Sequence, residues 1–507
     1  MVAATGLVDL PLRPGGRARD RPPCSLRSHR RAVPTIDETG CGAFVGASPL
    51  RGGIAENGYH PRSGARGITA GTNNGRQGLA TLTLAAVACT PTLDDRLREV
   101  LGEQHVGPVD FGSRQDRDRV ALGEALFYDK ELSGNRDISC GTCHRPASRT
   151  GDDRSQSIGT GGTGVGPDRE LGTGVLTVRH APELFDRGAE GWESLLWDGR
   201  LRQGDAWPLP AGVEPPAEIQ DDLLAAQVLL QVAHRDSMRG QPGDVDVDGS
   251  PNELAAIPDA DLPAVWDGVM DRLLAIDEYV ERFADAFPGV SRSELGLEHA
   301  AMAIAAYEID AFTFEQSPWD LYLEGDDGAL VEPAKRGALL FYGEAGCSEC
   351  HAGPLLTDQG FHNMCAPQVG LGLDWGRGGY TGDDAERYQF RTPPLRNISF
   401  TGPYFHAGTH DSLEDAIRYH LDPCTELRLY DGEGLDAEAR DRLWTEDSLF
   451  TEIEQTADAA ALRRVDLDHD QVSDLVQFLE SLSDPSVVYA IAGLAPSSVP
   501  SGRPVDR

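Results

Sequence analysis

The sequence lacks any run of about 18 consecutive apolar residues, which a membrane-spanning helix requires. It is also poor in basic side chains, with 45 Lys and Arg against 82 Asp and Glu and a net charge of −37. A negative charge of this size repels nucleic acid, so a nucleic-acid-binding protein is excluded. The 507 residues, 40% of them hydrophobic, are enough to form two cores.

The charge is unevenly distributed along the chain. Residues 1–89 contain 11 arginines, no lysine and five acidic residues, so the remaining chain carries all of the excess negative charge. Residues 1–75 are rich in Arg, Gly, Ser and Pro without apolar periodicity, which predicts a disordered leader or an untranslated upstream extension. A basic, mobile redox partner would suit the acidic body.

A short apolar segment follows the leader and resembles an export signal. Arg76 precedes the apolar segment 79–88, and small residues precede Cys89. This pattern predicts export to the periplasm or elsewhere outside the cytoplasmic membrane. A lipid anchor at Cys89, a plain signal peptide and a short buried segment all remain open.

The rest of the sequence predicts a mainly α fold with long loops. Helical patterns alternate with glycine-rich segments, and no segment shows sustained period-two alternation. Residues 317–326 are typical of a linker. We therefore predict domains at 90–316 and 317–485 after the 1–89 leader, followed by a loose tail at 486–507.

Two C-x-x-C-H motifs dominate the chemistry of the sequence. In c-type haem attachment both thiols form thioethers to the porphyrin, and the histidine is the proximal iron ligand. A zinc site would need four clustered N or S ligands, and a redox dithiol would need a βαβ context. One motif per domain therefore predicts two covalent haems, held by Cys140, Cys143 and His144 and by Cys347, Cys350 and His351.

The segments before the two motifs are related. Leu122–Asp129 and Arg336–Gly343 share the pattern Gly-x-x-Leu-Phe-Tyr, at the same side of each motif. A shared helix at both haem sites indicates an ancient duplication.

Residues 110–485 resemble the bacterial dihaem cytochrome c peroxidase and MauG superfamily. The resemblance rests on motifs at Gly123–His144, Leu196–Arg200, Phe361–Asn363, Thr392–Asn397 and Gly402–Gly408. It implies two cytochrome-c-like domains with one haem each. The first haem would react with peroxide, and the second would transfer electrons.

The resemblance also gives roles to individual positions around the first haem. Trp197 occupies the family's bridging position between the haems, although a buried aromatic anchor is the commoner use of tryptophan. Peroxidases of this family often carry a distal histidine in the loop after the first motif. Residues 145–179 contain no histidine, which resembles MauG and predicts an open face on the first haem.

Leu224–Gly240 resembles the family's distal helix, in which Gln227 matches the active-site glutamine. The catalytic glutamate would lie ten residues later, where this sequence has Ser237. Peroxide cleavage needs a base and an acid, and serine does not titrate near neutral pH. On one helix Gln227, Gln231 and His234 would share a face. His234 is therefore a candidate base or iron ligand, with a surface or capping histidine as the alternative.

The family's sixth ligand of the second haem is a Met or Tyr at the ninth position of a segment beginning Thr-Leu-Glu-Glu. The matching segment is Ser412–His420, whose ninth residue is His420, whereas Tyr419 is one residue early and Met364 lies in another motif. His420 would end one inward helical face, which also includes Leu413, Ala416 and Ile417. The sequence thus predicts bis-histidine coordination with His351, beside the alternative of a core or capping histidine.

Two further features follow from the resemblance. The family's calcium ion implies Thr401 and Pro403 as ligands, but the family's asparagine ligand is replaced by His180, and imidazole is a poor ligand for calcium. Cys365 and Cys424 lie outside the haem motifs in one domain of an exported protein, where a disulfide between them is open.

The sequence therefore predicts a dihaem peroxidase that reduces hydrogen peroxide with electrons from a small redox protein such as a cytochrome c or a cupredoxin. One alternative is a MauG-like oxidase that acts through high-valent iron on a protein or organic substrate. Another is a dihaem electron carrier or sensor without turnover. The oligomeric state, including a homodimer, stays open.

Overall fold

The computed structural model describes residues 90–507. The predicted leader, export signal and lipid-anchor position Cys89 lie outside the described residues. Within residues 90–507 no helix has the length and apolar character needed to cross a membrane.

The described chain is rich in helices and contains only short strands, as predicted. The helices are α1 (Leu93–Glu103), α2 (Arg117–Phe127), α3 (Cys140–Cys143), α4 (Leu223–Ala233), α5 (Glu253–Ala256), α6 (Leu262–Leu274), α7 (Asp277–Ala286), α8 (Leu297–Ala311), α9 (Pro318–Leu323), α10 (Glu332–Phe341), α11 (Gly376–Thr381), α12 (Leu413–Leu421), α13 (Pro423–Leu429), α14 (Ala437–Arg440), α15 (Asp447–Gln455), α16 (His469–Ser481) and α17 (Val487–Ala490). Two antiparallel pairs join β1 (Ser194–Leu195) to β2 (Leu201–Arg202) and β3 (Phe361–His362) to β4 (Phe390–Arg391).

The repeated glycine of the two haem segments lies where two helices cross. A Cβ added at Gly123 of α2 would lie 1.9 Å from the carbonyl oxygen of Ala303 in α8. A Cβ added at Gly337 of α10 would lie 1.9 Å from the carbonyl oxygen of Asp474 in α16. Only glycine allows both pairs to pack this closely. The repeat in the sequence is therefore a repeated helix crossing.

Each helix pair belongs to its own hydrophobic core. The first core is built mainly from α2, α4, α6, α7 and α8, and Cys140 and Cys143 pack against it. The second core is built mainly from α10 and α16, and Cys347 packs against it. Each haem motif therefore lies beside a separate core.

Each end of the described chain packs in the core that is formed mainly by the opposite half of the chain. Leu97 and Leu101 of α1 are buried in the second core. Val487, Ile491 and Val499 are buried in the first core. The prediction of a loose tail at 486–507 is therefore wrong, because its apolar side chains fill a core that is distant in sequence.

The last residues also make polar contacts beside the first haem motif. The Asp506 carboxylate accepts a hydrogen bond of 2.6 Å from the Thr142 hydroxyl and forms an ion pair of 2.7 Å with Lys130. Arg503 forms a further ion pair of 2.7 Å with Glu131. Thr142 is the third residue of the first C-x-x-C-H motif, so the C-terminal segment is anchored on that motif.

Buried ion pairs join the two halves of the chain. Arg396 contacts Asp186 and Asp320 at 2.7 Å each, and all three residues are buried. Arg179 donates two hydrogen bonds to Asp374, at 2.7 and 2.8 Å. Removing one partner would leave an uncompensated buried charge, so these pairs constrain how the halves meet.

Cys365 and Cys424 form a disulfide, which answers the question that the sequence left open. The bridge closes a loop with a sequence separation of 59 residues. The Tyr419 hydroxyl donates a hydrogen bond of 2.6 Å to the carbonyl oxygen of Cys365, so the bridge also fixes the position of α12.

Candidate functional site

The second haem motif opens into a cavity with a volume of about 250 Å³. Cys347, Cys350 and His351 all line it. The His351 Nδ1 donates a hydrogen bond of 3.1 Å to the carbonyl oxygen of Leu356. A carbonyl only accepts, so this bond places the proton on Nδ1 and leaves Nε2 available to a metal.

His420 lies in the wall of the same cavity. Its Nδ1 donates a hydrogen bond of 2.7 Å to the carbonyl oxygen of Ala416, so Nε2 is again available. The other residues of the inward helical face of α12 line the cavity with it, namely Leu413, Ala416 and Ile417. Desolvation, with His420 close by, lowers the pKa of His351 to about 4. Both imidazoles are therefore positioned as neutral ligands.

The two alternatives to His420 have different surroundings. Tyr419 is buried among the aromatic and apolar residues around the disulfide, and its hydroxyl is bonded to Cys365. Met364 does line the cavity, which its position in another motif did not suggest. The cavity thus contains a thioether as well as two imidazoles.

The first haem motif repeats the same local chemistry. The His144 Nδ1 donates a hydrogen bond of 2.9 Å to the carbonyl oxygen of Thr150, which leaves Nε2 available. Desolvation lowers the pKa of His144 to about 4. Cys140 and Cys143 are half-buried beside it, and desolvation raises the pKa of the Cys143 thiol to about 12.

The donor sets at both motifs fit c-type haem better than zinc or a reactive dithiol. Thiols with raised pKa values are poor nucleophiles, which argues against redox exchange. Among residues 90–507 the close group of potential metal ligands is Cys350, Asp358 and His362. His362 is already held between Asp358 at 3.0 Å and Asp458 at 2.6 Å. What both motifs share is two thiols and one imidazole with a free Nε2.

The predicted distal helix ends earlier than expected. α4 includes half-buried Gln227 but ends at Ala233, and His234 caps it with extended backbone angles of φ −76° and ψ 125°. Residues Arg235–Arg239 then form a π-helical turn. The shared helical face of Gln227 and His234 stays a prediction, because His234 directly follows the last helical residue, whereas Ser237 lies beyond the regular helix.

The π-helical turn brings His234 and Ser237 together. The Ser237 Oγ lies 3.2 Å from the His234 Nδ1. His234 is exposed to solvent, and the desolvation caused by neighbouring groups lowers its pKa. The backbone N–H of Thr160, in the histidine-free loop, donates a hydrogen bond of 2.8 Å to the Ser237 carbonyl. The contact with Thr160 was not evident from the sequence, since it joins two segments that are far apart in the chain.

Trp197 lies in the wall of the cavity at the second haem motif. Its indole N–H donates a hydrogen bond of 3.1 Å to the carbonyl oxygen of His180. His180 is in turn close enough to His144 for a charge on one ring to lower the pKa of the other, after the larger effect of desolvation. His180 therefore lies between Trp197 and the first motif.

The positions implied for calcium are also in this region. Thr401, Pro403 and His180 all line the cavity at the second haem motif. The His180 Nδ1 donates a hydrogen bond of 2.9 Å to the carbonyl oxygen of Arg154. A bound calcium ion at Thr401 and Pro403 stays a prediction.

Sequence reasoning missed a buried carboxyl group beside the first motif. Glu308 is buried in the apolar helix α8, and its electrostatic influence reaches Cys140. Desolvation raises the pKa of Glu308 to about 8, an effect that Arg187 reduces and Asp222 increases. The available signal was an acidic residue within the apolar sequence of α8.

Known proteins resemble this chain at the level of sequence. The family model described as "Di-haem cytochrome c peroxidase" matches residues 117–328. The methylamine utilization protein MauG of Methylorubrum extorquens is 30% identical over 309 residues, which are 60% of this chain and 69% of that protein. The cytochrome c551 peroxidase of Pseudomonas aeruginosa is 30% identical over 315 residues, 60% of this chain and 71% of that protein.

Two solved structures resemble the fold. A MauG-like protein associated with microbial copper homeostasis has a TM-score of 0.52 and 25% identity, over 77% of this chain and 96% of that one. The diheme peroxidase BthA from Burkholderia thailandensis has a TM-score of 0.50 and 19% identity, over 79% of this chain and 94% of that one, and supports the fold alone. With the sequence matches, these findings show that the chain belongs to the dihaem cytochrome c peroxidase and MauG family.

Proposed function

We propose that this protein is an exported dihaem peroxidase that reduces hydrogen peroxide with electrons from a small redox protein. The observation that carries the proposal is the asymmetry of two otherwise similar motifs. The second motif faces another histidine, His420, across its cavity, whereas residues 145–179 after the first motif contain no histidine. One site is suited to electron transfer, and the other is open to a small ligand.

The chain would hold its haems in two cytochrome-c-like domains. Residues 90–316 and 317–485 form these domains, with α1 contributed to the second and 486–507 to the first. Two haems attached through the cysteine pairs would supply iron centres that exchange single electrons. His144 and His351 are the proximal ligands, each fixed by a hydrogen bond from its Nδ1 to a backbone carbonyl.

His420 is the sixth ligand in this proposal. Its hydrogen bond to Ala416 is within the same helical turn and holds the ring in one tautomer. Met364 lines the same cavity. Within residues 90–507, however, no hydrogen bond holds its thioether in place as the Ala416 bond holds the His420 ring. We therefore assign the second site to His351 and His420.

Residues near the π-helical turn would move the protons. Reduction of peroxide to two waters takes two electrons and two protons, and O–O cleavage needs a base and then an acid. The lowered pKa of His234 keeps its imidazole neutral and able to accept a proton. Ser237, whose Oγ lies 3.2 Å from the His234 Nδ1, would orient that ring. Gln227 would offer an amide donor to the peroxide substrate. The carboxylate of the family is thus replaced by an imidazole.

Electrons would enter at the second site and pass Trp197. Its ring lies in the wall of the second cavity, and its hydrogen-bond partner His180 lies near His144. The excess of acidic side chains favours a basic cytochrome c or cupredoxin as donor. A periplasmic location, a lipid anchor at Cys89 and a calcium ion at Thr401 and Pro403 complete the proposal.

The experiment is peroxide consumption by the two-haem protein with a reduced basic cytochrome c as donor. We expect turnover with two molecules of ferrocytochrome oxidised for each peroxide. No consumption in either the diferric or the half-reduced state contradicts a peroxidase and supports an electron carrier.

The histidine-free loop gives the MauG-like oxidase a specific observation in its favour. That function is tested by mixing diferric protein with peroxide in the absence of donor. Rapid spectral change without prior reduction, followed by oxidation of an added organic substrate, supports the oxidase. A reaction only after one-electron reduction supports the peroxidase cycle.

A further inference from the structure

Arg391 is a buried cation without an anionic partner. Its side chain lies in the wall of the second cavity, and the residue is 3% exposed. The guanidinium donates to two backbone carbonyls, those of Leu196 at 3.1 Å and Thr392 at 3.2 Å. Within residues 90–507 no carboxylate lies within 4 Å of it, and the remaining Nη2 donates no hydrogen bond there.

Burial and a neighbouring cation make the positive charge of Arg391 unfavourable when it has no anionic partner. Desolvation, together with a smaller effect of the nearby cation Arg187, lowers the pKa of Arg391 to about 10, against a still smaller opposing effect of Glu183. The Glu183 carboxylate is itself engaged by Arg187 at 2.8 Å. A buried cation normally requires a paired anion, and arginine pairs best with a carboxylate. The geometry therefore calls for an anion from outside the chain.

The other two cations that line this cavity, Arg463 and His362, lie near the thiols of Cys347 and Cys350. Arg463 pairs with Glu349 at 3.1 Å, and Glu349 stands between Cys347 and Cys350 in the motif. His362 is held by two carboxylates and is also close to Cys350, whose sulfur contributes to its raised pKa. Both groups therefore belong to the edge of the porphyrin that carries the thioethers.

A porphyrin of this type carries its two propionates at the edge opposite the thioether-forming vinyls. Arg463 and His362 already have carboxylate partners, so Arg391 is the cation of this cavity that is left without one among the described residues. We propose that Arg391 binds a propionate carboxylate of the second haem. This inference rests on the proposed function, because it assumes a c-type haem attached to Cys347 and Cys350.

The same residue connects that edge to Trp197. The backbone N–H of Arg391 donates a hydrogen bond of 2.7 Å to the Trp197 carbonyl. β4, which ends at Arg391, is paired with β3, so the position is fixed by regular hydrogen bonds. Arg391 thus holds the propionate edge against the loop that carries the bridging tryptophan.

A cation near a haem stabilises the ferrous state, which has one negative charge more than the ferric state. Loss of the Arg391 charge therefore lowers the reduction potential of the second haem. Arg391→Lys keeps the charge but loses the planar guanidinium, which can bond the two backbone carbonyls and a carboxylate at the same time. Arg391→Gln loses the charge and keeps a hydrogen-bond donor.

The test is a spectroscopic redox titration of the two-haem protein and its Arg391→Gln, Arg391→Lys and Arg463→Gln variants. We expect Arg391→Gln to shift the second haem to lower potential, with a smaller shift in Arg391→Lys and an unchanged first haem. Arg463→Gln is the matched control, because it removes a 48% exposed cation from the same cavity. An unchanged potential in Arg391→Gln, or an equal shift in Arg463→Gln, overturns the inference.

If Arg391→Gln fails to fold, resonance Raman spectra of wild type and Arg391→Lys provide a second test. We expect the propionate bending mode of the second haem to move in Arg391→Lys, and an unmoved mode overturns the inference. Haem content by mass spectrometry separates the two proposals. Fewer than two haems in wild type contradicts the proposed function and this inference together, whereas unaltered Arg391 variants of a two-haem protein contradict this inference alone.

Discussion

The three histidines proposed as iron ligands share one hydrogen-bond arrangement. His144, His351 and His420 each donate from Nδ1 to a carbonyl oxygen of a nearby residue in the sequence. This bond fixes the tautomer and directs Nε2 away from the backbone. The residue identities were predictable from their motifs, but the carbonyl partners were not, because they depend on local backbone geometry after each motif.

Replacement of His420 is the direct test of the second site. We expect His420→Met to raise the reduction potential of the low-spin haem, because a thioether ligand favours ferrous iron. Near-infrared magnetic circular dichroism would show a histidine–methionine band in place of a bis-histidine band. Tyr419→Phe is the control, since Tyr419 points to Cys365. A wild-type histidine–methionine band would instead identify Met364 as the ligand.

The roles on the π-helical turn are tested by three variants. We expect Ser237→Ala to keep peroxide turnover within a few-fold, because it loses about one modest hydrogen bond. Loss of Gln227 and His234 together should lower turnover by roughly 10²-fold or more, the usual contribution of general acid–base groups. Ser237→Glu should raise the rate by restoring a carboxylate. Loss of all turnover in Ser237→Ala, with both haems present, would show that these roles are wrong.

Glu308 should make folding stability depend on pH. Its pKa of about 8 in the folded protein is above its ordinary value of 4.5, so the folded state binds the extra proton between these values. Stability from this group is therefore fully present near pH 4.5 and declines as the pH rises to about 8.

We expect Glu308→Gln to flatten the pH dependence of unfolding by denaturant between pH 5 and 8. Glu103→Gln, at an exposed position in α1, is the control and should leave the dependence as in wild type. An equally steep decline in Glu308→Gln would show that another group is responsible.

At the scale of elements, local sequence patterns predicted where helices occur better than they predicted the residues at which helices end. The Gly-x-x-Leu-Phe-Tyr repeat correctly indicated two equivalent helices, since a close crossing selects glycine in each. The end of α4 at Ala233 was not predictable from apolar spacing, because Leu224–Gly240 continues a helical pattern through the π-helical turn. The burial of Val487 and Ile491 depends on a core formed by residues far away in sequence.

The helix crossing at Gly123 gives a prediction of stability. We expect Gly123→Ala to lower the free energy of unfolding by about 1–3 kcal/mol, as overpacking typically does. Gly102→Ala is the matched control, because nothing lies within 4 Å of a Cβ added at Gly102 in α1. That variant should be neutral or stabilising by roughly 0.5–1 kcal/mol through helix propensity. Equal effects of the two variants in denaturant unfolding would contradict the close crossing.

At the scale of the whole molecule, the sequence correctly predicted the family, whereas the asymmetry of its two motifs stays a prediction. It did not predict that α1 joins the second core and that 486–507 joins the first. Both exchanges depend on tertiary packing, and they connect halves that the sequence presents as consecutive. The buried pairs of Arg396 with Asp186 and Asp320 add a further connection. The described residues therefore pack as one compact unit.

The asymmetry of the two sites is tested most directly by an electron paramagnetic resonance spectrum of the diferric protein at neutral pH. We expect one high-spin ferric signal from the haem on His144, which lacks a second histidine in its loop. The haem on His351 should give one low-spin signal typical of two imidazole ligands. Two low-spin signals would show that the first haem is closed by a strong ligand, and two high-spin signals would show that His420 does not bind the second; either spectrum contradicts an open peroxidatic site paired with a closed electron-transfer site.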